Sequence, residues 1–136
     1  MKVGLIGHGM WGGNLARNFH SLGALAAVSD ASRDRRKVVE ETYPGVDVFE
    51  NVESLLDRND IPAVVIATPA ETHFDIAMQA IQAGKDVFVE KPLALRVEDG
   101  ERLLLEAKKR EKILMVGHLM EYHPAIEKIG ELVQDG

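Results

Sequence analysis

The sequence predicts an α/β protein with a doubly wound, parallel β-sheet and helices packed on both of its faces. Short runs that are almost continuously apolar alternate with segments whose apolar residues recur every three or four positions. Runs of the first kind are typical of parallel strands buried on both faces, and segments of the second kind are typical of covering helices. A glycine-rich turn follows the first run directly. The strand order that this alternation favours is 3-2-1-4-5-6.

Six strands are predicted, and a helix follows each of them. The strands occupy residues 2–6, 24–29, 46–49, 63–67, 86–90 and 113–116. Four helices occupy residues 11–21, 33–42, 72–83 and 97–112, and a last one covers residues 125–133 and ends at Gly136. Asn51 is a candidate cap for the helix that follows the third strand. Gly84 stands where a left-handed residue would end the helix before it.

Composition limits the classes of function. The chain has 136 residues, the common size of one domain, and a formal net charge of -6 at pH 7. A net negative charge gives no general attraction to nucleic acid or to an anionic membrane, so we expect neither as a partner. The absence of cysteine excludes disulfides and thiolate chemistry and agrees with a reducing, cytoplasmic location. No apolar run reaches the length of a signal-peptide core or a membrane span.

The turn after the first strand has the sequence GHGMWG. Gly7 allows a tight turn, Gly9 lets the backbone approach a pyrophosphate, and Gly12 lets the following helix pack closely on the strand. The unpaired amides of that helix would then face the anion, so the pattern predicts a dinucleotide site. Its contributors in the loop are Gly7, His8, Gly9, Met10, Trp11 and Gly12. The alternative is a turn that only connects two elements, with His8 solvated and Trp11 packed on a loop.

Asp30 ends the second strand. A carboxylate at this position can accept hydrogen bonds from both hydroxyls of an adenosine ribose and would repel a 2′-phosphate, which favours NAD over NADP. Asp30 could instead cap the helix that follows Ser32. Arg33 could soften the cofactor preference by pairing with a phosphate.

Two further blocks end later strands at the same edge of the sheet. The sequence ATPAETHF places Thr68 and Pro69 at the end of the fourth strand and His73 in the first turn of the next helix. The sequence VFVEKP ends the fifth strand with Glu90 and Lys91. Both blocks should face a cofactor crevice, because ligands of such sheets bind beyond the carboxyl ends of the strands. Spacing alone would leave Lys91 as a solvated surface residue.

These blocks together resemble those of the Gfo/Idh/MocA oxidoreductases. GHGMWG, an aspartate at a strand end, TPAETH, AGKDVFVEKP and VGHLMEYHP occur here in the family's order and cover nearly the whole chain. The resemblance implies a Rossmann domain in which Lys91 is the catalytic residue, beside the nicotinamide and the reacting hydroxyl. A lysine there can act as a hydrogen-bonding cation or as a proton-transfer group, and the sequence leaves both open. The resemblance also implies a cis peptide bond between Lys91 and Pro92.

The resemblance also assigns roles to the other residues of the crevice. It implies that Thr68, Pro69 and His73 border the nicotinamide riboside. It implies that Glu90 either contacts the cofactor or positions the lysine.

The last block follows the sixth strand. The resemblance places His118, Tyr122 and His123 on a substrate-side rim, where polar side chains could bind sugar hydroxyls. A metal site formed by His118, Glu121 and His123 is a weaker alternative, because their spacing gives no convincing ligand geometry. We therefore expect no metal.

Members of this family usually continue into an α/β domain that supplies substrate contacts and another catalytic residue. We expect that C-terminal domain to be absent from this chain, with residues 1–120 as the Rossmann core and residues 121–136 as the start of a linker helix. The chain alone would then be catalytically incomplete. Apolar surface left exposed would favour a homo-oligomer, for instance a dimer.

The leading hypothesis is the NAD-binding domain of an oxidoreductase that transfers hydride between nicotinamide and a sugar hydroxyl carbon. The runs MWGGNLARNF and GHLMEYHP resemble members that act on nucleotide-linked sugars. One alternative is a stand-alone NAD-binding or regulatory module without catalysis. Another is a different Rossmann dehydrogenase or a biliverdin-reductase-like protein that shares only the glycine loop.

Overall fold

The computed structural model describes residues 1–134 and contains a six-stranded parallel sheet. Its strand order is β3-β2-β1-β4-β5-β6, as the sequence predicts. The strands are β1 (Val3–Ile6), β2 (Leu25–Ser29), β3 (Asp47–Phe49), β4 (Ala63–Ile66), β5 (Asp86–Val89) and β6 (Leu114–Val116). All the predicted strands are present, and each is one residue shorter than predicted at one end.

The helices within these residues are α1 (Met10–Ser21), α2 (Arg33–Thr42), α3 (Val52–Leu56), α4 (His73–Gln82), α5 (Val97–Lys109) and α6 (Pro124–Gln134). Helix α2 has its predicted bounds, α1 and α6 each begin one residue earlier than predicted, and α4 and α5 differ for reasons that the structure shows. A 3₁₀ turn over Ala70–Thr72 precedes α4, which therefore begins one residue late. Helix α5 ends three residues early, because Glu111 adopts a φ of 56° and the Lys112 amide N–H donates back to the Ala107 carbonyl oxygen. The predicted end of the last helix at Gly136 lies outside the described residues.

The sheet separates two hydrophobic layers, and β1 lies between them with all of its residues buried. Leu5 belongs to the layer that contains Ala16 of α1 and Val39 of α2. Ile6 belongs to the opposite layer, which contains Ala77 of α4. Neighbouring residues of a strand point to opposite faces, so a continuous apolar run is what two-sided burial requires.

The strand order reverses at β1, which pairs with β2 on one side and with β4 on the other. Ile6 at the end of β1 lies opposite Ser29 at the end of β2 and Ile66 at the end of β4. The segments that leave these three strands therefore meet at one edge of the sheet. A reversal of this kind is where doubly wound sheets bind their ligands.

Two local signals in the sequence have their predicted roles. Asn51 caps α3, because its side-chain oxygen accepts a hydrogen bond from the Ser54 amide N–H at 2.9 Å. Gly84 has a φ of 78°, the left-handed conformation that follows the end of α4.

Helix α6 and the 3₁₀ turn Leu119–Tyr122 before it carry exposed side chains throughout residues 118–134. Ile126, Ile129 and Leu132 are among the exposed apolar residues of α6. The division near residue 120 into a core and a linker helix stays a prediction. In the part of the chain that the structure describes, no helix has the length and apolar character needed to cross a membrane.

Candidate functional site

A cleft of about 760 Å³ opens where the segments after β1, β2 and β4 meet. Its volume lies within the range of about 300–1,000 Å³ that is usual for small-molecule sites. The predicted cofactor residues that line it are Gly7, Gly9, Met10, Trp11, Asp30, Thr68 and Pro69. Residues for which no cofactor role is predicted also line it, among them Ala31, Ser32, Arg35, Glu50 and Asn51.

The glycine turn brings β1 and α1 into close contact. Gly7 has a φ of 92°, in the left-handed region, and its amide N–H donates to the Ser29 carbonyl oxygen at 2.8 Å. A Cβ atom on Gly12 would lie 2.0 Å from the carbonyl oxygen of Gly7, a separation that no side chain can occupy. The predicted roles of these two glycines in the turn and in helix packing are therefore confirmed.

Gly9 leaves the amino end of α1 open to the cleft. It is the N-cap residue, and the nearest atom to a Cβ placed on it would be Nη1 of Arg35 at 3.6 Å. The first turn of α1 contains no acidic side chain, and its first amide groups have no partner within the helix. These features fit a pyrophosphate, whose negative charge a helix amino terminus stabilises.

Asp30 is held rigidly at the end of β2. Its side chain is 6% exposed, and its carboxylate accepts backbone N–H bonds from His8 at 2.6 Å and from Ser32 at 2.8 Å. The N-cap residue of α2 is Ser32, so Asp30 is not the helix cap that the sequence left open. Each carboxylate oxygen keeps a lone pair after these bonds, so Asp30 can still accept hydrogen bonds from ribose hydroxyls.

The basic residue of this wall is Arg35 and not Arg33. Arg35 lines the cleft, and its Nη1 atom lies 3.7 Å from Oδ2 of Asp30. Arg33 is exposed and is not among the residues that form the wall. Arg35 is therefore the basic side chain that borders the cleft, and the pairing of Arg33 with a phosphate stays a prediction.

His8 serves the site through its backbone. Its amide N–H donates a hydrogen bond to the Asp30 carboxylate. Its ring packs edge-on against Tyr43, with 6.3 Å between the ring centres, and does not line the cleft. Its Nε2 atom is buried and has no hydrogen-bond partner among the described residues. Burial lowers the pKa of this imidazole below its ordinary value of 6.5. The role of His8 in cofactor binding stays a prediction.

Trp11 and Glu90 join the glycine turn to the end of β5. The indole N–H of Trp11 donates a hydrogen bond to Oε1 of Glu90. The other carboxylate oxygen, Oε2, accepts a hydrogen bond from the Lys91 amide N–H at 3.3 Å. Gly117 packs against this carboxylate, since a Cβ there would lie 3.1 Å from Oε1. Of the two roles expected for Glu90, the geometry favours positioning the lysine. Sequence reasoning missed Gly117, although its place directly after β6, beside β5, was an available signal.

His73 lies beneath the wall of the cleft. Its side chain is 1% exposed, and its ring nitrogens lie 2.7 Å from the carbonyl oxygen of Pro92 and 2.9 Å from that of Thr68. The hydroxyl of Thr72 also lies 2.7 Å from that of Thr68. His73 therefore links the end of β4 to the segment Lys91–Pro92, which we call the lysine turn. Its contact with a nicotinamide riboside stays a prediction.

The Lys91–Pro92 peptide bond is cis, as the resemblance implies. The side chain of Lys91 is exposed and lies beyond the residues that line the cleft. Its backbone is fixed from both sides, by the Glu90 carboxylate before it and by the bond from His73 to the Pro92 carbonyl after it. The catalytic role of Lys91 stays a prediction.

His118, Tyr122 and His123 follow β6 and are exposed. Among residues 1–134, the side chains of His118, Glu121 and His123 are not brought together in a group that could hold a metal ion. The substrate-side role of His118, Tyr122 and His123 stays a prediction.

Comparison with known proteins assigns this chain to a family. The profile of the family described as "Oxidoreductase family, NAD-binding Rossmann fold" matches residues 1–118. The UDP-N-acetylglucosamine 3-dehydrogenase of Acidithiobacillus ferrooxidans is 36% identical over 127 residues, which are 93% of this chain and 40% of that protein.

Solved structures agree with this assignment. A mutant of KijD10, a 3-ketoreductase from Actinomadura kijaniata in complex with TDP-benzene and NADP, superposes with a TM-score of 0.90 at 29% identity, over 100% of this chain and 42% of that one. The scyllo-inositol dehydrogenase from Lactobacillus casei, with bound NAD(H) and scyllo-inositol, gives 0.91 at 26% identity, over 100% of this chain and 41% of that one. This chain thus spans about two fifths of the length of these relatives. It belongs to the Gfo/Idh/MocA oxidoreductase family and contains that family's NAD(P)-binding Rossmann domain.

Proposed function

We propose that the protein carrying this chain transfers hydride between a nicotinamide and the hydroxyl-bearing carbon of a sugar or nucleotide sugar. The observation that carries the proposal is the cleft in which the glycine turn and Asp30 are fixed to each other by the bond from the His8 amide. The named activities of the relatives support the substrate class, since they include a nucleotide-sugar dehydrogenase and an inositol dehydrogenase.

The charges of the cleft favour NAD over NADP. The carboxylates of Asp30 and Glu50 both belong to its wall and would repel a 2′-phosphate, whereas Asp30 can bind ribose hydroxyls. Arg35 is the one cationic side chain among the described lining residues, and it already lies beside Asp30. Relatives have been solved with NADP and with NAD(H), so the preference of this chain rests on these side chains.

Lys91 is the proposed catalytic residue. A bound nicotinamide supplies the hydride acceptor or donor. In the oxidising direction a general base outside the residues assigned here takes the hydroxyl proton as the carbon loses hydride to the nicotinamide, and the Lys91 ammonium stabilises the oxygen that becomes a carbonyl. Glu90 and His73 would keep the lysine turn in place through their bonds to its backbone.

The other predicted residues divide between the two sides of the reaction. Thr68 and Pro69 line the cleft and are proposed to border the nicotinamide riboside. His118, Tyr122 and His123 are proposed to bind substrate hydroxyls from the exposed rim. We also propose a cytoplasmic location and self-association through exposed apolar side chains such as Ile129 of α6.

An absorbance assay for NADH tests the activity. The protein that carries this chain would be given NAD with UDP- and dTDP-linked hexoses and with inositols. We expect NADH to form with at least one of them, and Lys91→Ala to lower kcat by about a hundredfold or more. Lys108→Ala, at an exposed position of α5, is the matched control and should leave kcat unchanged. NADH binding without turnover of any sugar would favour the regulatory module instead.

A further inference from the structure

We infer that His73 is an imidazolium at neutral pH and that it positions the lysine turn in this charged form, by donating a hydrogen bond from each ring nitrogen. The inference rests on the proposed function, since the lysine turn carries the proposed catalytic residue, Lys91. His73 is a positioning residue, because its side chain is 1% exposed and is not among the residues that line the cleft.

The two contacts of the ring decide its protonation state. Nδ1 lies 2.7 Å from the carbonyl oxygen of Pro92, and Nε2 lies 2.9 Å from the carbonyl oxygen of Thr68. A carbonyl oxygen can only accept hydrogen bonds, whereas a neutral imidazole has one N–H donor and one nitrogen that only accepts. Either neutral tautomer would therefore set a nitrogen lone pair against a carbonyl oxygen at hydrogen-bond distance. The imidazolium has an N–H on both nitrogens and satisfies both contacts.

Turning the ring over does not remove this conflict. Ring carbons would then take the places that the nitrogens now hold beside the two carbonyl oxygens. Those places are nearer to the oxygens than the separation of about 3.3–3.6 Å at which C–H groups meet carbonyl oxygens. The nitrogens would also lose both partners, and the burial of His73 leaves no solvent to replace them.

The position of His73 in the chain allows a positive charge. A cation is unfavourable at the open amino end of a helix, but the 3₁₀ turn Ala70–Thr72 precedes α4. The His73 amide N–H is already bonded to the Ala70 carbonyl oxygen. Asp75 adds an acidic side chain in the first turn of α4, which offsets the positive end of the helix.

Charged side chains of the neighbouring elements are exposed or have other partners. Glu71 of the 3₁₀ turn and Lys91 of the lysine turn are exposed. Glu90, buried at the end of β5, accepts hydrogen bonds from the Trp11 indole and the Lys91 amide. Arg102 of α5 lies over the ring of Phe74. The two backbone carbonyl oxygens are therefore the groups that act directly on the charge of His73.

The charged ring joins the wall of the cleft to the lysine turn. Thr68 lines the cleft at the end of β4, and Pro92 directly follows Lys91. Hydrogen bonds from a charged donor are stronger than those from a neutral one, and here two of them hold both carbonyl oxygens to one rigid ring. Loss of a proton would leave one bond and turn the other contact into a repulsion. The placement of Lys91 relative to Thr68 is therefore fixed while the ring is charged.

Long-range ¹H–¹⁵N NMR spectra of the chain test the protonation state. At about pH 7.5 an exposed imidazole is mostly neutral, so the exposed His20 of α1 is the control and should show one unprotonated nitrogen. We expect both ring nitrogens of His73 to have the chemical shifts of protonated nitrogens. A His73 ring with one unprotonated nitrogen would overturn the inference. This spectrum requires neither cofactor nor substrate, so its result does not depend on the proposed function.

The NADH assay on the protein that carries this chain tests the positioning role. Glutamine has its N–H donors on a single nitrogen, so we expect His73→Gln to lose one of the two bonds. The expected result is a kcat lower by about tenfold or more and a KM for NAD changed by less than about threefold, because Lys91 is displaced while the cofactor site remains. His20→Gln makes the same change at an exposed position and should alter neither constant.

The outcomes separate the inference from the function on which it rests. A folded His73→Gln variant with unchanged kcat would overturn the positioning role. A rise in KM alone would also overturn it, because it would place His73 in cofactor binding. No turnover of any sugar by the unmodified protein would contradict the proposed function, and the NMR spectrum would still decide whether His73 is charged.

Discussion

Asp30 combines a structural and a recognition role in one carboxylate. Its carboxylate accepts hydrogen bonds from the His8 amide of the glycine turn and from the Ser32 amide, and the residue lines the cleft. Asp30→Asn keeps the size of the side chain and removes the charge that would repel a 2′-phosphate. We expect NADH binding to weaken by about tenfold and the preference for NADH over NADPH to shrink, since hydrogen bonds to a charged acceptor are the stronger ones.

Calorimetry with both cofactors measures this change. Asp34→Asn is the matched control, because Asp34 is an exposed acid in the first turn of α2. An Asp30→Asn variant with an unaltered NADH preference would contradict the ribose assignment.

His8 gives the fold a dependence on pH. Burial lowers the pKa of its imidazole, although the nearby Asp30 carboxylate opposes this, and the unfolded chain keeps the ordinary value of 6.5. Between the two pKa values the unfolded state binds more protons, so the free energy of unfolding falls as pH drops below 6.5 and recovers as pH rises. We expect His8→Phe, which keeps a ring beside Tyr43, to remove part of this dependence.

Thermal melts from about pH 5 to about pH 7.5 cover that window. His118→Gln, at an exposed position, serves as the control. Parallel pH dependences of Tm in the original and His8→Phe chains would show that this imidazole is not the group responsible.

At the level of elements, the contact between β1 and α1 depends on Gly12. A Cβ there would overlap the Gly7 carbonyl oxygen at 2.0 Å, whereas one on Gly13 would be 3.9 Å from the nearest atom, Nε2 of His8. We expect Gly12→Ala to destabilise the chain by about 3 kcal/mol or more and to abolish NADH binding, because α1 must move away. Gly13→Ala should stabilise it by about 0.5–1 kcal/mol, since alanine favours the helix.

Urea denaturation of the two variants measures this difference. Equal stabilities would show that α1 does not depend on the close approach at position 12.

Periodicity predicted the elements themselves, but not how their first and last turns are shaped. Helix α4 follows a 3₁₀ turn that leaves His73 buried, and no residue pattern distinguishes that turn from the first turn of an α-helix. Arg35 differs from His73, because the helical period of α2 in the sequence already indicates which side of the helix it occupies. Position 35 is four residues before the buried Val39 and so lies on the inward side of the helix, whereas position 33 does not.

At the scale of the whole molecule, alternating strands and helices and right-handed crossovers predict the strand order, so the sequence alone is enough to place the cleft. The glycine turn, Asp30 and the end of β4 were found because each follows a strand at the same edge. The rim formed by His118, Tyr122 and His123 is different. These side chains are exposed, and the Nδ1 atom of His123 accepts a hydrogen bond from the nearby Ala125 amide N–H, so neither the periodicity nor the fold assigns them a ligand.

We expect this chain to bind a nicotinamide dinucleotide in the cleft beside the glycine turn. Calorimetric titration of the chain with NADH, and in parallel with NADPH, measures this binding. Saturable binding of one NADH per chain is the expected result, with NADPH bound more weakly because of Asp30 and Glu50. Binding of neither dinucleotide would contradict it.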